Sequence, residues 1–372
     1  MKKDSWVNFA VLIASIALVV FGFRSAAPSS PAPEVTSAPA ASTSTPPVAE
    51  TSTVGISPSD VRAVYLTAAT VSVPSNVRAM IQLVKSTRLN AVVINVKDGD
   101  GTYVGPGMKR VVDEFHQNGI YTIARIVVFQ DNAMAKEHPE LALRDTSGGL
   151  WSAGGGPSYW VDPASHLVWD ANVAAAVGAL KLGFDEVNFD YIRFPSGSIQ
   201  SAVYPVYDGM SSMSGIIDQF FSYLTSHIRD AYPKAVLSAD LFAYSFVKDS
   251  GLGIGQHVAE AAKYFNVIDP MVYPSLYTPG NFGFPNPAEE PYQVVYQTLE
   301  DGKKLMPASS TVIVRPWIQD FTLGVPPYDA TMVDDEISAV RDAGYGDTWM
   351  AWNPANSYDP TPFLSTSSAP QQ

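Results

Sequence analysis

From residue 61 onward, short runs of β-branched residues alternate with longer amphipathic stretches. The runs predict strands at 61–67, 91–97, 121–128, 186–192, 236–242, 267–274, 311–319 and 348–353. The stretches predict helices at 75–88, 108–118, 164–182, 215–232, 255–265, 291–305 and 330–343. Strands alternating with helices imply right-handed βαβ units and a parallel sheet. Eight such units in about 300 residues is the count of a closed (β/α)8 TIM barrel. The alternative, a doubly wound open sheet, would have fewer strands and a G-x-G-x-x-G turn, which the first turns lack. Helix-to-strand connections are short, as at 88–90 and 343–347, whereas the segments after strands three, four and six are long. In a barrel those segments emerge on the C-terminal face, where active sites are built. Plain tolerance of insertion in loops would lengthen them too.

The chain before residue 61 has a different pattern. Met1, Lys2 and Lys3 precede an apolar run at 6–23, interrupted by Asn8, Ser15 and Gly22 and closed by Arg24. That length nearly spans a hydrocarbon core, and the lysines belong inside. Residues 1–24 thus read as a single-pass anchor with the remaining chain on the extracytoplasmic side of a cell membrane. A cleaved signal ending at Ser25-Ala26-Ala27 is the alternative; the length of the run and Pro28 count against it. Residues 25–57 are almost entirely Ala, Pro, Ser, Thr and Val, with Glu34 and Glu50 the charged positions. They read as an extended spacer that cannot bury a core. The barrel then occupies 58–363, and 364–372 form a tail.

Composition narrows the chemistry. The formal charge of −13 argues against a nucleic-acid partner, which needs a basic face. There is no cysteine, so disulfides and thiol nucleophiles are excluded. His116, His138, His166, His227 and His257 are scattered, with no H-x-H or H-E-x-x-H spacing. No G-x-S-x-G elbow or P-loop occurs. No cofactor or metal is expected.

Polar residues instead gather at the strand ends. Residues two apart on a strand share a face, so Asn188 and Asp190 point together into the barrel, with Phe189 and Tyr191 opposite. Ser238 and Asp240 do the same on strand five. Two carboxylates over one pocket, ringed by aromatics, is the requirement of glycoside hydrolysis. Asp190 and Asp240 are therefore the candidate catalytic pair. Asp98, Arg125, Arg193, Asp269, Tyr273, Arg315, Trp317, Trp352 and Asn353 are candidates for binding a polysaccharide or oligosaccharide. Each has a plainer reading. Asp190 and Asp240 could be ion-pair partners of the arginines, Asp98 a turn residue of D-G-D-G, Asp269 an orienting group, and Trp317 and Trp352 core packing.

Four segments, NVKD at 95–98, FDEVNFDYIRFP at 184–195, DPMVYP at 269–274 and RPWIQDF at 315–321, together resemble the DUF4015 glycoside-hydrolase family. The resemblance covers about residues 58–360. It implies a glycosidase-type TIM barrel with a nucleophilic aspartate at the end of strand four, matching Asp190. It implies an acid/base on strand five or six, matching Asp240 or Asp269; many such acids are Glu, whereas both candidates here are Asp. The expectation is an exported, membrane-anchored glycoside hydrolase. The alternative is a non-catalytic carbohydrate-binding or envelope-scaffolding barrel.

Overall fold

A computed structural model describes residues 54–152, 156, 158–196 and 201–364. The anchor expected at 1–24, nearly all of the spacer and the tail after Leu364 lie outside the described residues. Among the described residues no helix is long and apolar enough to cross a membrane.

Eight strand positions close into a parallel barrel. They are β1 (Arg62–Leu66), β2 (Ala91–Asp98), β3 (Tyr121–Val127), β4 (Glu186–Asp190), β5 (Val236–Phe242), β6 (Val267–Met271), β7 and β8 (Trp349–Trp352). β7 comes in two pieces, Ile313–Val314 and Trp317–Gln319, because Pro316 has no N–H to continue the ladder. Each strand pairs with the next, and β1 pairs with both β2 and β8, which closes the ring. The predicted strands all appear; β5 has the predicted bounds, β2 runs one residue further, and the others are shorter by one to three residues. β4 stops at Asp190 because Tyr191 turns to φ +54°.

The helices between strands follow the predicted order: α1 (Pro74–Ser86), α2 (Pro106–Gln117), α3 (His166–Lys181), α4 (Met213–Ala231), α5 (Val258–Tyr264), α6 (Pro291–Leu305) and α7 (Ala330–Val340). Proline opens α1, α2 and α6, where its fixed φ suits the first turn and its missing N–H is not needed. Ser212 and Asp329 cap α4 and α7 by accepting backbone N–H bonds. α5 starts three residues later than its pattern predicts. Gly255 has φ +85°, and a Cβ there would lie 2.8 Å from the Met213 carbonyl oxygen, so this close approach requires glycine.

Two apolar layers result from the strand alternation. Val92, Ile94, Val187, Phe189 and Ile268 face outward and pack under the helices. Ala63, Tyr65, Val93, Ile123, Tyr273, Trp317 and Met350 fill the interior. The two longest loops, after β3 and β4, are tied together over the mouth. Asp162 is fully buried and accepts the backbone N–H groups of Val206 at 2.7 Å and Tyr207 at 2.9 Å. Arg144 and Val203 add a bridge between the same loops.

The lower interior is ionic. Arg315 is fully buried and donates to Glu186 (Nη1 to Oε2, 3.1 Å) and to Asp269 (Nε to Oδ1, 3.0 Å). Tyr121 and Ser238 donate to the same Glu186 carboxylate. Removing the cation would leave two carboxyl groups buried without their charge partner. Arg315→Met should therefore destabilise the barrel by about 3–5 kcal/mol. Denaturant unfolding checks this, and a loss under about 1 kcal/mol would show that the network is not a stabilising element.

Candidate active site

The site sits above this ionic floor, at the C-terminal ends of the strands. A cleft of about 220 Å³ is lined by Arg125, Asp190, Asp240, Met271, Tyr273, Trp317 and Trp352. Arg125 occupies its centre. It ion-pairs with Asp190 through Nη2, and its Nε lies 3.6 Å from Asp240 Oδ2. Nη1 donates to Asn95 Oδ1 at 2.7 Å, and Asn95 in turn donates to the Tyr65 hydroxyl at 2.8 Å. The guanidinium also lies over the rings of Tyr65 and Trp352, which stack with centroids 4.0 Å apart.

The two carboxyl groups have different surroundings. Asp190 accepts the Arg125 bond on Oδ2 and the Tyr191 backbone N–H on Oδ1 at 2.6 Å. Both of its oxygens therefore face donors. Tyr191 supplies that N–H from the left-handed region, a costly conformation for a bulky residue, and it lies directly after Asp190. Asp240 is 1% exposed. Its Oδ1 accepts Asn188 Nδ2 at 2.8 Å and Trp317 Nε1 at 2.7 Å, while Oδ2 is buried with no hydrogen-bond partner. Burial, then the nearby Asp190 and Asp269 carboxyls, push the Asp240 group well above the ordinary carboxylate range. One acid thus meets cationic and N–H donors, and its neighbour has one oxygen without a hydrogen bond and a pKa pushed upward by burial.

The remaining expected residues separate into groups. Tyr273 and Trp352 line the cleft with Arg125. Trp317 lines it too, but is 1% exposed and turns its N–H to Asp240. Asp269 and Arg315 are fully buried in the floor and outside the cleft lining. Both Asp269 oxygens are occupied, by Arg315 and by Asn188 Nδ2 at 3.0 Å. Asp98 keeps its turn role: Oδ1 accepts the Asp100 N–H at 2.9 Å and the Tyr103 hydroxyl at 3.3 Å. Asn353 is likewise spent on its own loop, bonding Ala355 N and Ser357 O. Neither is among the residues that line the cleft. Arg193 stands outside the lining as well, packed against aromatic rings.

Several contributors were not on the candidate list. Asn95 and Lys97 share a face of β2, so two polar residues in an apolar run were a readable signal. Lys97 forms a buried ion pair with Asp131 at 2.7 Å and donates to Val127 O, pinning the start of the loop after β3. Tyr65 and Met271 gave no signal, since an aromatic or apolar residue in a strand ordinarily means core. Among the described residues no group of three or more His, Cys, Asp or Glu is placed to hold a metal ion.

Residues 63–358 match the model of the DUF4015 family, described as "Putative glycosyl hydrolase domain". The chain belongs to the DUF4015 family. This makes it a glycosidase-type barrel, as the strand-four motif implied. No curated protein matches it significantly. Among solved structures, a hypothetical protein from Ruminiclostridium thermocellum is 30% identical, with TM-score 0.42 over 51% of this chain and 98% of that one. An alpha-galactosidase from Thermus thermophilus is 13% identical, with TM-score 0.52 over 82% of this chain and 59% of that one. The catalytic domain of a beta-amylase from Paenibacillus polymyxa is 9% identical, with TM-score 0.51 over 82% and 96%. The last two show that the DUF4015 chain shares the barrel fold of these enzymes.

The raised Asp240 group carries a consequence for stability. Between the ordinary carboxyl value near 3.8 and its raised folded value, the folded DUF4015 chain holds a proton that the unfolded chain has lost. That contribution to stability is full at low pH and fades as pH rises through this window. Asp240→Asn removes the titration. It should raise Tm by a few degrees at pH 7 and change it little at pH 3; a lower Tm at pH 7 would show that Asp240 is stabilising as a charge.

Proposed function

We propose that this protein is an exported glycoside hydrolase acting on a polysaccharide or oligosaccharide, with Asp190 as nucleophile and Asp240 as general acid/base. The carrying observation is the asymmetric pair around Arg125. Asp190 has donors on both oxygens, while Asp240 has Oδ1 fixed by Asn188 and Trp317, an Oδ2 without a hydrogen bond, and a pKa pushed up by burial. Two carboxyls whose environments push them apart are the mark of acid and base in one site. Asp240 is favoured over Asp269 because it lines the cleft and has an oxygen without a hydrogen bond, whereas Asp269 lies outside the lining and both its oxygens are taken.

The spacing favours retention. β4 and β5 are neighbours, in a register that pairs Phe189 with Ala239, and Asp190 and Asp240 follow directly. Both reach the same guanidinium. Such closeness suits the short separation of about 5–5.5 Å of retaining enzymes rather than the wider gap that admits a water. Asp190 attacks the anomeric carbon, the glycosidic C–O bond breaks, and the Asp240 proton passes to the leaving oxygen. In the second half Asp240 takes a proton from water, the water oxygen bonds to the anomeric carbon, and Asp190 is released.

The apolar run at 6–23 behind Lys2 and Lys3 supports export and a membrane tether, with the spacer at 25–57 giving the barrel reach toward surface glycan.

Turnover of a glycan panel tests the reading. Asp240→Asn should lower kcat by about 10²–10⁴-fold on substrates with poor leaving groups and much less on activated aryl glycosides. Asp190→Asn should abolish release on both. Full activity in Asp190→Asn, or glycan binding by wild type with no release from any member, would overturn the catalytic assignment.

A further inference from the structure

We propose that Ser214, His257 and Asp249 form a second hydrolytic site, one that cleaves carboxylic esters with a small acyl group. The site is independent of the glycan cleft and of the hydrolysis proposed there.

The three residues come from the segments that follow β4 and β5. Ser214 is the second residue of α4, Asp249 lies in the loop after β5, and His257 directly precedes α5. Segments between a strand and the next helix lie on the C-terminal face of a barrel, so the group shares that face with the cleft. None of the three is among the cleft-lining residues. Their contacts form one chain. Ser214 Oγ lies 3.0 Å from His257 Nε2, and His257 Nδ1 lies 2.5 Å from Asp249 Oδ1. The carboxylate sets the tautomer: Nδ1 carries the proton and donates to Asp249, which leaves Nε2 to accept from the Ser214 hydroxyl. A hydroxyl and a carboxylate joined through opposite nitrogens of one imidazole is the arrangement that activates serine toward an acyl carbon. It is recognised by geometry and not by sequence position, so the lack of a G-x-S-x-G elbow does not bear on it.

Two features suit this chain of contacts to catalysis. The first is the place of Ser214 at the start of a 19-residue helix. Cα–Cβ bonds of a helix tilt toward its N-terminus, so Oγ points the same way as the N–H groups of the first turn. Ser212 Oγ takes the N–H of Gly215 at 3.0 Å. The N–H groups of Met213 and Ser214 have no carbonyl of the helix to bond. With the positive end of the helix dipole, they stand beside Oγ, where charge develops on the oxygen of an attacked carbonyl. The second feature is Gly251. A Cβ there would lie 2.8 Å from His257 Nε2 and 2.9 Å from Ser214 Oγ, so any other residue would cover the reacting pair. Ser214 is half-buried and the His257 side chain is 24% exposed, which leaves the pair open to a ligand. The closeness of the Gly251 backbone restricts that ligand to a small acyl group. In the first half of the reaction Ser214 Oγ bonds to the acyl carbon and its proton passes to His257 Nε2. The ester C–O bond then breaks, and the alcohol leaves with that proton. In the second half a water gives a proton to His257 and its oxygen bonds to the acyl carbon. The acid is released and the proton returns to Ser214.

Hydrolysis of 4-nitrophenyl acetate, butyrate and octanoate by the full-length protein tests this. The acetate should turn over with the highest kcat/KM. Ser214→Ala and His257→Ala should each lower that value by about 100-fold or more. Asp249 acts through the imidazole as a positioning residue, so Asp249→Asn should lower kcat with little change in KM, and Asp249→Glu should restore part of the loss. A fluorophosphonate should add its phosphonyl group to Ser214 Oγ with loss of fluoride, which peptide mass spectrometry locates. Thermal unfolding verifies that each variant is folded, and the labelled position in the unaltered protein decides where a variant is not. No hydrolysis of any ester, a preference for octanoate, turnover that survives Ser214→Ala, or a label absent from Ser214 would overturn the proposal.

Discussion

The guanidinium of Arg125 is the constraint around which the barrel mouth is organised. Asp190, Asp240, Asp269 and Glu186 all point into a space from which water is largely excluded. Two guanidiniums, Arg125 and Arg315, serve these four acids. The lower cation is shared between Glu186 and Asp269 and closes a network with Tyr121 and Ser238. The upper cation binds Asp190 closely and stands farther from Asp240. Charge in a low-dielectric interior must be paired or neutralised. Asp240, which stands farther from its cation, is pushed well above the ordinary carboxylate range. The division of labour between the two site carboxyls is thus a consequence of where one arginine sits.

The surrounding structure maintains that arrangement. Asn95 and Tyr65 hold Arg125 from β2 and β1, and Trp352 stacks from β8. Asn188 ties Asp240 to Asp269 across three strands. Because parallel strands fix side chains in register, these contacts come from seven different strands without any flexible loop. Loops act outside this ring. Asp162 locks the two long segments after β3 and β4 over the mouth by accepting their backbone N–H groups. Lys97 and Asp131 fix the start of the first. The barrel therefore presents a pre-organised cleft, and electrostatic preorganisation of this kind is the main lever of enzyme catalysis.

The DUF4015 membership and the shared fold with an alpha-galactosidase and a beta-amylase agree with this geometry. Fold alone does not fix chemistry. What this chain adds to the fold is its own set of strand-end residues, and in particular the pairing of a donor-held aspartate with one on the adjacent strand whose pKa burial pushes up.

Much of this was legible in the sequence. Strand count, order and the C-terminal location of the site followed from alternating patterns, because periodicity is a local property of the backbone. The inward direction of Asn188, Asp190, Ser238 and Asp240 followed from the two-residue repeat. The sequence could not show that Asp98 and Asn353 bond to their own turns, since such bonds depend on loop geometry. Nor could it rank Asp240 against Asp269 or identify Tyr65 as a support of the site. Those outcomes depend on which side chains from distant strands meet around one cation, and on how much water is removed when they do. Pattern determined the barrel and the mouth; only tertiary packing decided which carboxyl groups meet a cation and which is buried with an unbonded oxygen.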